Sequence, residues 1–215
     1  MKLENKKEKK MFKLDVPYHT QRNNKLFPYS TCGTTCIAMV LDYLNKAFNK
    51  KYACDDDAVF EALNSQDLIN RAKAYINNGD KWIETYLNDK RFTPGGKIYT
   101  HLNNVAVMLG EVGSYLTKNE FVFKLKYRTF KEISDGLVND KVPYVTSGMF
   151  TKSGHYVAII GVTNDSLIFN DPYGNWLTQY KDDKGAGMIY SLADLKVKAK
   201  FNTDSILTIK PVKTS

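Results

Sequence analysis

A change of periodicity near residue 120 divides the chain and restricts the folds open to it. Before that point apolar residues recur at helical spacing. Ile37, Val40, Leu41, Leu44 and Phe48 share one face of a helix that Ser30 or Thr31 can cap. Residues 55–90 read as two or three further helices, opened by the acidic run 55–57 and stopped at Asn78-Gly79. FTPGG at 92–96 reads as a turn, and 100–112 as a helix ending at Gly110 or Gly113. Beyond Glu120 the period becomes two: Phe121, Phe123, Leu125 and Tyr127 alternate with Val122, Lys124, Lys126 and Arg128. After a short helix at 130–138, the segments VPYVTSGM, GHYVAIIGV, SLIFNDP and SILTIKPV read as successive strands, with a turn at Asn164-Asp165. Residues 12–18 form a short strand ahead of the first helix. Helices first and an antiparallel sheet second define an α+β fold, with two halves around one cleft.

The 215 residues suffice to bury a core, and the expected organisation is a charged flexible arm over 1–11 and a single domain over 12–215. The start, MKLENKKEKK, has five lysines and two glutamates with no apolar run behind it, which is not the pattern of a signal peptide. No window approaches the apolar length of a membrane span. The expected location is therefore the cytoplasm when the chain is made. The net charge is +8, but no basic block is interleaved with aromatics, which argues against nucleic acid as a partner. A mild positive charge instead favours encounter with an anionic polymer such as a bacterial cell wall. The three cysteines, 32, 36 and 54, form no disulfide framework, and no second Cys or His pair completes a metal site. No metal or cofactor is expected.

One thiol stands in a place that would activate it. A free cysteine, pKa ~8.5, is mostly protonated at neutral pH, and a helix N-terminus or an imidazolium lowers that value. Cys32 falls at the first turn of the first helix, and Gly33 beside it is read as leaving room for a substrate backbone. Cys36, one turn on, should pack inward; Cys54 precedes Asp55, whose charge and that of its neighbours should blunt it. Of three histidines, His19 lies in the loop before Cys32 and His101 in the expected 100–112 helix. His155 opens an apolar strand, and the next strand ends at Asp171. A histidine and an acid at adjacent strand ends can hydrogen-bond side by side, as the base and orienter of a nucleophilic triad do; the spacing alone equally allows a strand-end histidine and a turn aspartate with local roles only. Acyl transfer also needs donors for an oxyanion. The Cys32 N–H is one; Gln21, Asn23 and Asn24 in the upstream loop compete for the second.

This assignment carries a geometric condition. A regular hairpin with a two-residue turn at Asn164-Asp165 pairs Thr163 with Ser166 and Ala158 with Asp171, and it sends His155 and Asp171 to opposite faces. An odd loop or one β-bulge brings Val157 opposite Asp171 and makes His155 its diagonal neighbour on the same face.

VPYHTQ…CGTTCIAMVLDYL, followed by GHYVAIIGVTND…IFNDPYG, resembles the papain-like cysteine peptidases related to the bacteriocin-leader (double-glycine) peptidases. The matching positions are Gln21, Cys32-Gly33, Gly154-His155-Tyr156-Val157 and Asp171-Pro172, over about 16–48 and 142–175. The resemblance implies a papain-like hydrolase in which Cys32, His155, Asp171 and Gln21 are the catalytic set. The helical half carries the cysteine, and the sheet carries the histidine and acid. Stand-alone members of this kind act on bacterial walls, so a peptide or peptidoglycan substrate is implied, reached from a virion or after lysis. Cys36 departs from the small residue common in the family. A non-catalytic binding module and an acyl transferase on the same fold remain the alternatives; segment 50–140 lies outside the resemblance.

Overall fold

The computed structural model describes residues 11–93, 95–201 and 206–212; the lysine-rich arm up to residue 10 lies outside them. The chain enters through β1 (Phe12–Lys13), shorter than its sequence suggests. Beyond Leu14 the strand ladder gives way to a side chain, because Asn170 Nδ2 donates to the carbonyls of Val16 and Pro17 at 3.1 and 3.4 Å. A 3-10 turn at Gln21–Asn23 leads to α1 (Cys32–Phe48), which ends at Asn49 in the left-handed region. From Cys32 to Leu41 every residue of α1 is buried, so the helix is a central strut with no solvent face there. Its polar residues are satisfied locally: Asn24 Nδ2 donates to Thr31 Oγ1 at 2.9 Å and to Thr35 Oγ1 at 3.0 Å.

Next come α2 (Asp56–Leu63), α3 (Gln66–Asn77) and α4 (Ile83–Asn88), with Asp55 capping α2 and Ser65 capping α3. The expected turn at 92–96 lies within a hairpin of β2 (Lys90–Phe92) and β3 (Ile98–Thr100), in which Arg91 faces Tyr99. The expected 100–112 helix is displaced: a 3-10 turn occupies Leu102–Asn104, and α5 runs from Ala106 to Leu116, straight through both glycines. Those glycines serve packing. A Cβ on Gly110 would stand 2.8 Å from the Phe123 carbonyl oxygen, and one on Gly113 would stand 2.7 Å from the Phe123 ring.

The second half holds β4 (Phe121–Lys126), α6 (Phe130–Asn139), β5 (Tyr144–Gly148), β6 (His155–Val162) and β7 (Ser166–Asn170). It continues with β8 (Met188–Ser191), α7 (Leu192–Val197) and β9 (Ile206–Pro211). Neither β8 nor α7 is expected from the sequence, since Met188–Ser191 is too short for its alternation to register. The antiparallel sheet runs β4-β9-β5-β6-β7-β8, with β1 on the edge of β6 beyond the end of β5. Helix α1 packs across β6 and β5 and against α2 and α5, and the buried residues of both halves form one apolar cluster. Among the described residues no helix is long and apolar enough to cross a membrane.

The pairing of β6 with β7 decides where the strand ends point. Val162 faces Leu167 and Gly161 faces Ile168, but Ile159 then faces Phe169, so Ile160 is an extra residue. This is the bulge that the sequence condition requires. It sits where β1 meets β6: Leu14 N–H donates to Ile160 O at 2.8 Å, and a Cβ on Gly161 would approach Phe12 O to 2.5 Å. Past the bulge the register continues with Ala158 opposite Asn170, which brings Asp171 alongside Val157.

Candidate active site

The one-residue shift is what puts His155 and Asp171 on the same face. His155 Nε2 lies 2.7 Å from Asp171 Oδ1, and both side chains are almost wholly buried, at 4% and 0% exposure. The Asp171 oxygens also accept from the Tyr173 N–H at 3.0 Å and from the Tyr180 and Tyr190 hydroxyls, each at 3.4 Å. Burial and the adjacent Asp171 carboxylate push both phenols far above their ordinary value, so they remain donors. The backbone here is held closely too. Asp171 N–H donates to Gly185 O at 2.8 Å, and a Cβ on Gly185 would meet Asp171 O at 1.9 Å. Phe150, Tyr173 and Tyr180 pack edge-on around the imidazole, with ring centroids 5.8 to 6.5 Å away.

With Nε2 committed to Asp171, the other ring nitrogen faces Cys32. Burial raises a thiol's pKa, yet that of Cys32 is lowered overall. The His155 charge and hydrogen bond, together with the N–H groups of Tyr156 and Gly33, outweigh the burial. His155 is the counterpart: burial pushes its pKa down, but the charges of Asp171 and Cys32 carry it up to about 10. The two directions agree on a thiolate–imidazolium pair. The start of α1 carries no side-chain cap. Thr31 occupies the cap position without capping; its hydroxyl donates instead to Phe27 O at 3.2 Å. Gly33 does not serve the purpose expected of it. A Cβ there would stand 2.6 Å from Leu109 Cδ1 and 2.9 Å from Asn103 O, so it lets α1 approach α5 and makes no room for substrate.

Of the three loop amides, the structure brings Gln21 to the cleft. Asn24 is buried holding Thr31 and Thr35, and Asn23 is exposed on the side of the acidic run. Gln21 Nε2 donates to Pro28 O at 2.8 Å, while its Oε1 is buried without a partner among the described residues. Reversing the amide would set two oxygens against each other, so the Pro28 carbonyl fixes which end of the side chain carries the N–H₂ group. The loop is stapled to the acid's own turn: Gln21 N–H donates to Pro172 O at 2.9 Å, and Arg22 Nε donates to Tyr173 O at 2.8 Å.

Gln21, Cys32 and His155 lie along a cleft of about 920 Å³ that is also lined by Tyr29, Ser30 and Thr151 to Gly154. The other thiols behave differently. Cys36 is wholly buried and its pKa lies well above the ordinary value, by desolvation first and the Cys32 charge second. Cys54 is raised by burial and by Asp42, with Asp55 and Asp56 adding less. His19 is absent from the cleft and bridges Asp42 and Asp56 at 3.3 Å. His101 does reach the cleft, with Asp89, Arg91 and Asn104 as neighbours. Sequence reasoning gives it no partner and passes over Arg91 altogether; the flanks of FTPGG were the available sign of a hairpin there. No group of three or more His, Cys, Asp or Glu residues suited to a metal ion occurs among the described residues.

A helix-borne cysteine facing a histidine and an acid on an antiparallel sheet defines the papain-like class of cysteine hydrolases. Residues 13–191 match the model of the Peptidase_C39-like family, and the chain belongs to that family as a cysteine peptidase-like hydrolase. Its fold is similar to a crystal structure from Bacillus anthracis described as a C39-like peptidase. The TM-score is 0.55 at 16% identity, over 96% of this chain and 99% of that one. No curated protein matches the chain.

Proposed function

We propose that the protein hydrolyses a peptide bond through Cys32, His155 and Asp171, with Gln21 and the Cys32 N–H as oxyanion donors. The observation that carries this reading is the buried line of carboxylate, imidazole and thiol at the floor of one open cleft. The Cys32 thiolate attacks the carbonyl carbon. As the C–S bond forms, the carbonyl oxygen takes up negative charge beside the two donors. His155 gives its proton to the leaving nitrogen as the C–N bond breaks, leaving an acyl-enzyme and a free amine. Water then attacks the thioester with His155 as base, and the acid departs with Cys32 restored. Asp171 holds the ring in the required tautomer throughout.

The substrate class best supported is the peptide of a bacterial cell wall, cut endolytically by an enzyme that meets its polymer from a virion or after lysis. A chain with net charge +8 is drawn to an anionic polymer. Purified walls incubated with the wild type and with Cys32→Ala test it. New amino and carboxyl termini on the released fragments, found by mass analysis and absent with the variant, support the assignment. Walls left intact while an unrelated peptide is cut would move the substrate elsewhere.

A further inference from the structure

The β2–β3 hairpin carries a cation into the cleft that the chemistry above does not use. Arg91 reaches Ser30 Oγ at 3.0 Å, two residues before Cys32, and its Cζ sits 5.9 Å from the centre of the Phe27 ring. Arg91, His101 and Lys152 all line the cleft, and among the described residues no Asp or Glu side chain does.

The neighbours of His101 fix what Arg91 has to offer. His101 Nδ1 lies 2.8 Å from Asp89 Oδ2 and 3.1 Å from Arg91 Nη2, while its Nε2 lies 2.7 Å from Asn104 Nδ2. One ring nitrogen cannot donate to a carboxylate and accept from a guanidinium together. A carboxylate only accepts, so the shorter, charge-assisted contact puts a proton on Nδ1. Nε2 then holds the lone pair that the Asn104 amide requires. This single tautomer satisfies both outer contacts and leaves Arg91 Nη2 facing an N–H. Among the described residues, Ser30 Oγ is the remaining acceptor for the guanidinium, and no carboxylate pairs with it. A guanidinium anchored at one nitrogen and unmatched at the other, over an aromatic ring in an open cleft, complements a carboxylate through two parallel N–H···O bonds.

We propose that Arg91 is a subsite for a substrate carboxylate, so that the enzyme selects peptides carrying a side-chain or main-chain carboxylate close to the bond it cuts. This rests on Cys32 being the nucleophile and names the feature its substrate must carry.

The test uses three chloroacetyl compounds on one skeleton: chloroacetyl-glutamic acid α-amide, chloroacetyl-glutamine and chloroacetyl-glutamine amide. The first has a free side-chain carboxylate, the second a free main-chain carboxylate and the third none. Each alkylates a thiolate by forming a C–S bond as chloride leaves, so turnover is not needed. At least one acid should label Cys32 about tenfold or more faster than the neutral amide, and the faster acid identifies the source of the carboxylate. Arg91→Gln should bring that ratio close to one with the iodoacetamide rate at Cys32 unchanged, and Arg91→Lys should retain part of it. A wild-type ratio near one would overturn the subsite, as would a ratio that survives Arg91→Gln. Slow iodoacetamide labelling of Cys32 in the wild type would remove the nucleophile and the subsite together, a result distinct from an intact nucleophile indifferent to charge.

Discussion

Replacing Asp171 with Asn separates the charge of the orienting residue from its shape. The carboxamide is nearly isosteric with the carboxylate, and its oxygen can still accept from His155 and from the Tyr173 N–H, now at 2.7 and 3.0 Å. The new N–H₂ group would face the Tyr180 and Tyr190 hydroxyls, which can rotate to accept from it. The fold should therefore survive, and what is lost is the difference between a charged and a neutral acceptor. Hydrogen bonds to charged groups contribute about 1.5–3 kcal/mol and neutral ones about 1 kcal/mol, so the imidazolium loses roughly 0.5–2 kcal/mol of support. That energy corresponds to a fall of about one pH unit in the imidazole's ionisation. Removing a negative charge disfavours the cation, so the alkaline limit set by His155, about 10 in the wild type, must move to lower pH. Peptidase activity in the variant should drop about tenfold at neutral pH and persist, whereas His155→Ala should have none. Peptide turnover followed against pH reads the limb directly, and iodoacetamide labelling of Cys32, followed by peptide mass, shows that the thiolate itself persists. A limb that stays in place, or activity as low as in His155→Ala, would refute the charge argument.

The same labelling at neutral pH should modify Cys32 well before Cys36 or Cys54, since only Cys32 has its pKa lowered; early modification of Cys36 would contradict the assignment. Gln21→Ala should cut kcat by about 10²- to 10³-fold while Cys32 still alkylates at the wild-type rate, as removal of an oxyanion donor requires. His19→Gln should leave turnover intact and alter the pH dependence of stability. Burial lowers the His19 pKa, but hydrogen bonds and charge from Asp56 and Asp42 raise it overall. Its contribution is therefore complete below about pH 6.5 and is lost as pH rises through the raised folded value. Urea midpoints of wild type and variant should differ in acid and converge in base.

The parts of the molecule legible in the sequence are those set by local periodicity. Helix α1 and strands β4 to β7 follow from apolar spacing. What the sequence hides is whatever a distant partner decides. Gly110 and Gly113 read as helix stops because nothing local reveals the Phe123 ring packed against them. Gly33 reads as space for substrate because the approach of Asn103 and Leu109 comes from seventy or more residues away. The candidate site divides along the same line. Cys32, His155 and Asp171 stand out by residue type and by strand ends, and the choice of Gln21 over Asn24 needs the bonds that bury Asn24. Arg91 is one arginine in a charged stretch until the hairpin folds it toward Ser30.

The place of β9 has a consequence for how the chain acquires its shape. Leu207 and Ile206 pair with Val145 and Thr146 on one side, while the whole of β9 pairs with β4 on the other. Among the described residues β4 joins the sheet through β9 alone. Residues 121–126 must therefore wait some eighty positions for the strand that connects them to their neighbours, and contacts that distant in sequence slow folding. Helix α1 is made early but packs across β6, whose neighbour β5 is paired on its far side only by β9 among the described residues. A chain still emerging from the ribosome, short of residue 206, presents a thiol at a helix start and a sheet with a gap in it. Assembly of the cleft thus waits until residues 206–211 have been made, and a denatured sample should regain labelling of Cys32 only in the slow phase that closes the sheet.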